Sequence, residues 1–172
     1  MTEVWWQTVT TNISWYFLTM AIAHLSTSLG QTLFHRHLGH RRLGGRFFKN
    51  HTQFHHTHYS GNHVVSAHRL GNEGNNTPYF LIPTFLVVGA TFFLLRFDLF
   101  VVQLATMSLS FCGHVYLDRQ YHIEGSWLCR FSWFKRKQQL HFLHHRHPNC
   151  NFAVIDYFWD RLIGTYRDTG TS

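Results

Sequence analysis

The sequence predicts an all-α fold: an integral-membrane bundle of about three helical spans, capped on the cytoplasmic side by a histidine-rich site for two metal ions. Three observations predict it. Apolar runs recur at residues 13–34, 79–95 and 99–117. Of the 16 histidines, 15 lie at or beyond one end of such a run, with His24 alone inside the first. Lys and Arg share that bias. At 172 residues the chain has room for one domain, so residues 1–172 read as a single unit.

Each run is close to the ~20 residues a helix needs to cross the hydrocarbon core. Charged residues make up 13% of the chain, about half the usual ~25%. The second and third runs are separated by Arg96, Phe97 and Asp98, a break that reads as a tight helical hairpin with both far ends on one side. A pair of core helices in a soluble protein would need more surrounding chain than is present. Ser26, Thr27, Ser28, Gly30 and Gln31 make the first run the most polar, as a tilted or cavity-lining span would be. The N-terminus has neither a basic region nor a small-residue cleavage site, which predicts no removable signal peptide.

Charge predicts the orientation. Of the 15 Lys and Arg, 6 lie between Phe34 and Tyr79, 8 follow Leu117, and Arg96 sits in the hairpin turn. By the positive-inside rule residues 35–78 and the C-terminal region face the cytoplasm and the N-terminus lies outside. The basic residues flank spans, so topology explains them without nucleic acid. The expected location is a multi-pass one, in a bacterial inner membrane rather than the endoplasmic reticulum.

Histidine is a common metal ligand, and here it falls into four groups. They are His35, His37 and His40; His51, His55, His56 and His58; His114 and His122, with Asp118 between them; and His141, His144 and His145, followed by His147. No run of consecutive histidines suggests a purification tag. Positions i, i+3 and i+4 share a helix face, so His141, His144 and His145 point one way. His51 with His55, and His114 with Asp118 and His122, form similar stripes. His35 and His40 are five apart and share no face of a regular helix: Gly39 would end that helix, or His37 would replace His40. His24 reads as a core residue, and His58, His63 and His68 as solvent-facing or supporting. So many donors exceed the needs of one ion, so two are expected. Imidazole suits Zn, Cu, Fe and Ni alike. Cys112, Cys129 and Cys150 are odd in number and lack CxxC spacing, which supports neither disulfides nor a zinc or iron–sulfur site.

In this order between apolar runs, the groups resemble the fatty acid hydroxylase/sterol desaturase superfamily of membrane di-iron enzymes. His35 and His40 are similar to its first box, His51, His55 and His56 to its second, and His141, His144 and His145 to its third. Asn151-Phe152-Ala153 and the later Trp159-Asp160-Arg161 with Gly164-Thr165 resemble its ending. His122 matches an isolated histidine of the family, and His114 is a weaker match. The resemblance covers about residues 34–167. Two departures stand out. The second box has three residues before its His-His pair, the longer form that related membrane alkane hydroxylases use. The family commonly has four spans, against three here.

The resemblance implies a metal set of His35, His40, His51, His55, His56, His114, His122, His141, His144 and His145 around two irons. It implies an oxidoreductase that uses O₂ and two electrons to hydroxylate or desaturate an unactivated C–H bond of a lipid-like or amphipathic substrate drawn from the bilayer. Asp118, Glu124, Asp156 and Asp160, together with Asn151, are candidates to orient ligand rings from behind; for Asp160 a helix-capping or Arg161-paired role competes. The chain has no dinucleotide-binding glycines and no haem or iron–sulfur motif, so a ferredoxin- or cytochrome-type donor with its reductase is required. Two other classes compete: a non-catalytic metal-binding or transport protein, which would place ligands inside the spans, and a zinc hydrolase, which would show an HExxH-like base.

Overall fold

In a computed structural model that describes residues 2–67, 77–168 and 170, the described residues are helical, joined by turns and one isolated parallel bridge between Ser66 and Ile123. Helix α1 (Thr2–Phe34) leads into a π-helical turn at His35–Gly39 and a 3₁₀ turn at Arg42–Gly44. The short α2 (Arg46–Phe48) and α3 (His56–His58) flank a second π-helical turn, Lys49–His55. The apolar hairpin is α4 (Thr77–Leu94) and α5 (Phe97–Tyr121). A 3₁₀ turn at Trp127–Arg130 precedes α6 (Ser132–Arg146), and the short α7 (Phe158–Leu162) lies in the tail.

Side-chain pairs fix how the long helices run. Tyr16 donates to Asp98 at 2.8 Å and His24 meets Ser110 at 2.8 Å, so α1 and α5 are parallel. Gln103 donates to Thr91 at 2.9 Å, and the rings of Phe80 and Phe111 lie 5.9 Å apart, so α4 returns antiparallel to α5. The last turns of α1 and α5 and the first of α4 therefore meet at one end, where the histidines lie. Arg96 clamps Asp98 at 2.6 Å across the hairpin break at the other. An acid in the first turn of α5 also suits the helix dipole.

α5 is long and apolar enough to cross a membrane, and residues 82–94 form a shorter apolar stretch. α1 has the length, at 33 residues, but its hydroxyl and amide side chains keep it outside that class. Its exposure pattern explains them. Ser28, Gln31 and Thr32 are buried, whereas Phe17, Ile22, Phe85, Leu86 and Phe93 are more than half exposed. At these positions the bundle turns polar side chains inward and large apolar ones outward.

The cap is built differently, with its apolar groups inside. Tyr121, Leu128, Phe134 and Val154 form one buried cluster and Leu140, Ala153 and Tyr157 another. Each large side chain so buried contributes about 1.5–3 kcal/mol. The tail is then latched beneath α6. Asn151, fully buried and at φ 53°, exchanges hydrogen bonds with the Arg167 backbone, both 2.9 Å, and donates to Leu140 O at 3.3 Å. Asn is one of the few residues that tolerates that left-handed conformation. Asp160 accepts from Phe152 N at 2.8 Å, Ala153 N at 2.9 Å and Thr165 Oγ1 at 2.6 Å. Arg161 stacks on Tyr166 at 3.8 Å. Asp160 is thus a loop staple rather than a support for a histidine ring.

Asp160→Asn keeps the shape but replaces one accepting oxygen with a donor, leaving a buried N–H unpaired. Thermal unfolding of the purified protein in detergent should show a loss of about 1–3 kcal/mol. An unchanged melting curve would remove the staple role.

Candidate metal centre

Two groups of imidazoles converge at the histidine end. His35, His40, His51, His56 and His144 form one, and His55, His122, His141 and His145 the other; within each, the ligand atoms lie within 4.8 Å of one another. Nε2–Nε2 separations in the first group are 2.7 Å for His35 and His51, 3.1 Å for His40 and His144, and 3.1 Å for His51 and His56. In the second they are 2.9 Å for His122 and His141 and 3.2 Å for His141 and His145. About 3 Å is the spacing of adjacent nitrogens around one ion at ~2.1 Å.

Backbone carbonyls decide which nitrogen faces inward. The Nδ1 of His35 lies 2.5 Å from Phe152 O, that of His144 2.7 Å from Cys150 O, that of His145 2.8 Å from Tyr59 O, and that of His122 2.7 Å from Val64 O. A carbonyl oxygen only accepts, so each of these Nδ1 atoms carries the proton and each Nε2 presents a lone pair. Burial, reinforced by neighbouring imidazoles, disfavours the charged form of seven of these rings, His40 among them. It lowers His35 to about 4 despite the Phe152 carbonyl, and pushes His51, His56, His141, His144 and His145 down as well. Neutral rings with lone pairs gathered at one point suit a cation.

The local backbone explains the spacing. His35 and His40, and His51 and His56, are five apart, and a π-helical turn with i→i+5 hydrogen bonding brings such residues to one side. His35 and His40 therefore approach to 3.3 Å between Nε2 atoms, and His37 is exposed rather than a replacement. Gly39 is the last residue of that π-helical turn, as expected of a helix end. A Cβ there would stand 3.1 Å from the His51 ring, 3.2 Å from His35 and 3.2 Å from Phe47, so glycine makes room for the ligands. His51 and His55, expected on one stripe, separate into different groups. On the regular α6, His144 joins the first group, while His141 and His145 join the second.

Of the ten histidines expected to bind metal, nine are in these groups. His114 stands apart, its ring 6.4 Å from Phe80. His58, His63 and His147 are exposed, and His68 lies outside the described residues. Asp118 approaches the second group from the metal side, 3.6 Å from His141 Nε2, rather than from behind a ring. Asp156 pairs with His24 at 3.1 Å, which gives that histidine a polar contact rather than a plain core setting. Glu124 is exposed, its N–H donating to Ser66 O at 3.0 Å. The supporting groups that sequence reasoning missed are the carbonyls of Tyr59, Val64, Cys150 and Phe152. Only the last two had a signal, as neighbours of Asn151. Phe152 also packs its ring 5.5 Å from both His40 and His144, which walls off water.

The fatty acid hydroxylase family profile matches residues 20–165, a span that contains all nine clustered histidines and the Asn151–Thr165 latch. Comparison with curated proteins and with solved structures gives no significant match.

Buried rings with lowered pKa values bind protons in the unfolded chain before they do in the folded one. Stability of chelator-stripped protein should therefore be constant above the ordinary histidine value of 6.5 and fall as pH drops from there toward the His35 value of about 4. Several rings titrate together, so the fall should be steep. A melting temperature flat from pH 7 to 5 would contradict the buried, neutral assignment.

Proposed function

The chain belongs to the fatty acid hydroxylase family, and we propose that it is a membrane di-iron oxygenase that hydroxylates or desaturates an unactivated C–H site of a lipid-like substrate. The observation that carries this reading is the pair of convergent imidazole groups. His35, His40, His51, His56 and His144 would hold one iron, and His55, His122, His141 and His145 the other, with Asp118 at the edge of the second. When bound, such a pair supplies O₂ activation with two electrons from outside; the protein supplies position and shielding.

The chain's own residues divide that work. Carbonyls of Tyr59, Val64, Cys150 and Phe152 hold four rings in the tautomer a metal requires. Phe152 keeps solvent from the first group, and Tyr59, stacked on His122 at 4.0 Å, shields the second. α1, α4 and α5 act as three spans, and the outward-facing apolar side chains support that reading. The histidine end lies on the cytoplasmic side, where basic residues flank it and favour an acidic electron donor of the ferredoxin or cytochrome type. The clustered histidines lie at helix ends and in turns rather than along a span interior, which argues against a transport path.

Protein purified from iron-supplemented cells should contain about two irons per chain. His144→Ala and His145→Ala should each lose at least one iron and the activity, while His63→Ala and His114→Ala retain both. Equal iron in all four variants would overturn the assignment. Lipid extracts from cells with and without the protein, grown under ¹⁸O₂, should differ by a labelled oxygen for hydroxylation or by loss of two hydrogens for desaturation. Identical extracts would favour a non-catalytic metal-binding role. Turnover with a purified donor should slow as ionic strength rises; indifference to salt would remove the electrostatic docking.

A further inference from the structure

A cavity of about 210 Å³ lies between α1, α4 and α5. Exposed Ser26, Val87 and Leu104 form its rim, and Gln31, Phe34 and Phe80 its inner end. Along α1 the rim residue Ser26 faces the hairpin side. Gln31 is one helical turn before His35, on the same face, so the inner end points toward the histidines. The Gln31 side chain is only 3% exposed, and neither its Oε1 nor its Nε2 has a hydrogen-bond partner among the described residues. Buried amides are rarely left so, because each unpaired group is costly. An occupant that pairs with the amide accounts for it.

The chemistry of that occupant can be narrowed. A hydroxyl donates to Oε1 and accepts from Nε2, satisfying both atoms, whereas a carboxylate would repel Oε1 and finds no cation in a lining without charged residues. The volume falls below the ~300–1,000 Å³ of sites that enclose a whole small ligand, so only one end of a chain enters. The open rim leaves the remainder on the apolar outer surface. We propose that this cavity binds the hydroxyl end of an uncharged, linear aliphatic alcohol, and that Gln31 is its specificity-determining residue. The hydroxyl then sits at the end of the bundle nearest the histidines and the tail runs back toward the hairpin. Phe34 and Phe80, with ring centroids 5.8 Å apart, line the same inner end. If the oxygenase reading holds, on which this role as substrate site rests, the C–H bonds beside the hydroxyl are those nearest the metal centre.

The test is equilibrium binding of tritiated hexadecan-1-ol to wild-type protein in nanodiscs, with unlabelled hexadecan-1-ol, hexadecane and hexadecanoate as competitors. The alcohol should compete at least about 10-fold better than either of the others. Gln31→Leu and Gln31→Met should each weaken alcohol binding about 10-fold, since the hydroxyl then loses its partner in a dry site. They should also raise the melting temperature of the empty protein by removing an unsatisfied amide. Equal competition by hexadecane or hexadecanoate overturns the proposal on wild-type protein alone, and so does unchanged alcohol binding in a variant that still melts cooperatively. Iron measured on the same samples separates the two readings. Iron-free wild-type protein that binds alcohol through Gln31 would count against the oxygenase alone; two irons with Gln31-independent binding would count against this site alone.

Discussion

The inward convergence of neutral imidazole lone pairs is the constraint on which the cap depends. Nine polar rings are packed together, and burial with neighbouring imidazoles disfavours the charged form of His35, His40, His51, His56, His141, His144 and His145. A cation held among them would relieve that cost, and its binding would then be coupled to folding of the cap. The rest of the cap serves that constraint. Loops at Tyr59, Val64, Cys150 and Phe152 present carbonyl oxygens to the outer nitrogens, and the Asn151 and Asp160 latch fixes the two of them that belong to the tail.

Much of this was legible in the chain. The hairpin follows from two apolar runs broken at Arg96 and Asp98, and nine of the ten histidines expected as ligands gather in the two groups. The errors have a common cause. Pairing His51 with His55 and doubting His35 with His40 both assume a regular helix, whereas the backbone winds as a π-helix at both places. Gly39 leaves room for three rings at the end of the first of these turns, a tertiary fit with no local signature. Carboxylates were expected behind the rings because side chains are visible in a sequence, and backbone carbonyls are not. Asp160 instead meets the backbone of Phe152 and Ala153 and the Thr165 hydroxyl, partners that neither of its expected roles named.

The bundle and the cap obey opposite rules of burial. In α1 Ser28 and Gln31, two of the polar positions that made a span least convincing, are turned inward, and its large apolar side chains Phe17 and Ile22 face out. Read for mean composition the helix is ambiguous; read for exposure it belongs to a bundle whose surroundings are oily. The cap, with Phe134 and Tyr121 fully buried, is organised as for water. The two histidine groups lie at the junction between these two regions.

Two pairs of sequence neighbours, His55 with His56 and His144 with His145, each divide between the two groups. Their rings interleave, His56 stacking on His145 at 4.2 Å. Neighbouring Cα atoms are held 3.8 Å apart by covalent geometry. The gap between the groups is thus spanned twice by a single peptide unit, a far stiffer spacer than a packed interface. A shift of the His55–His56 segment or a tilt of α6 therefore displaces a member of each group together, which ties the position of one group to that of the other.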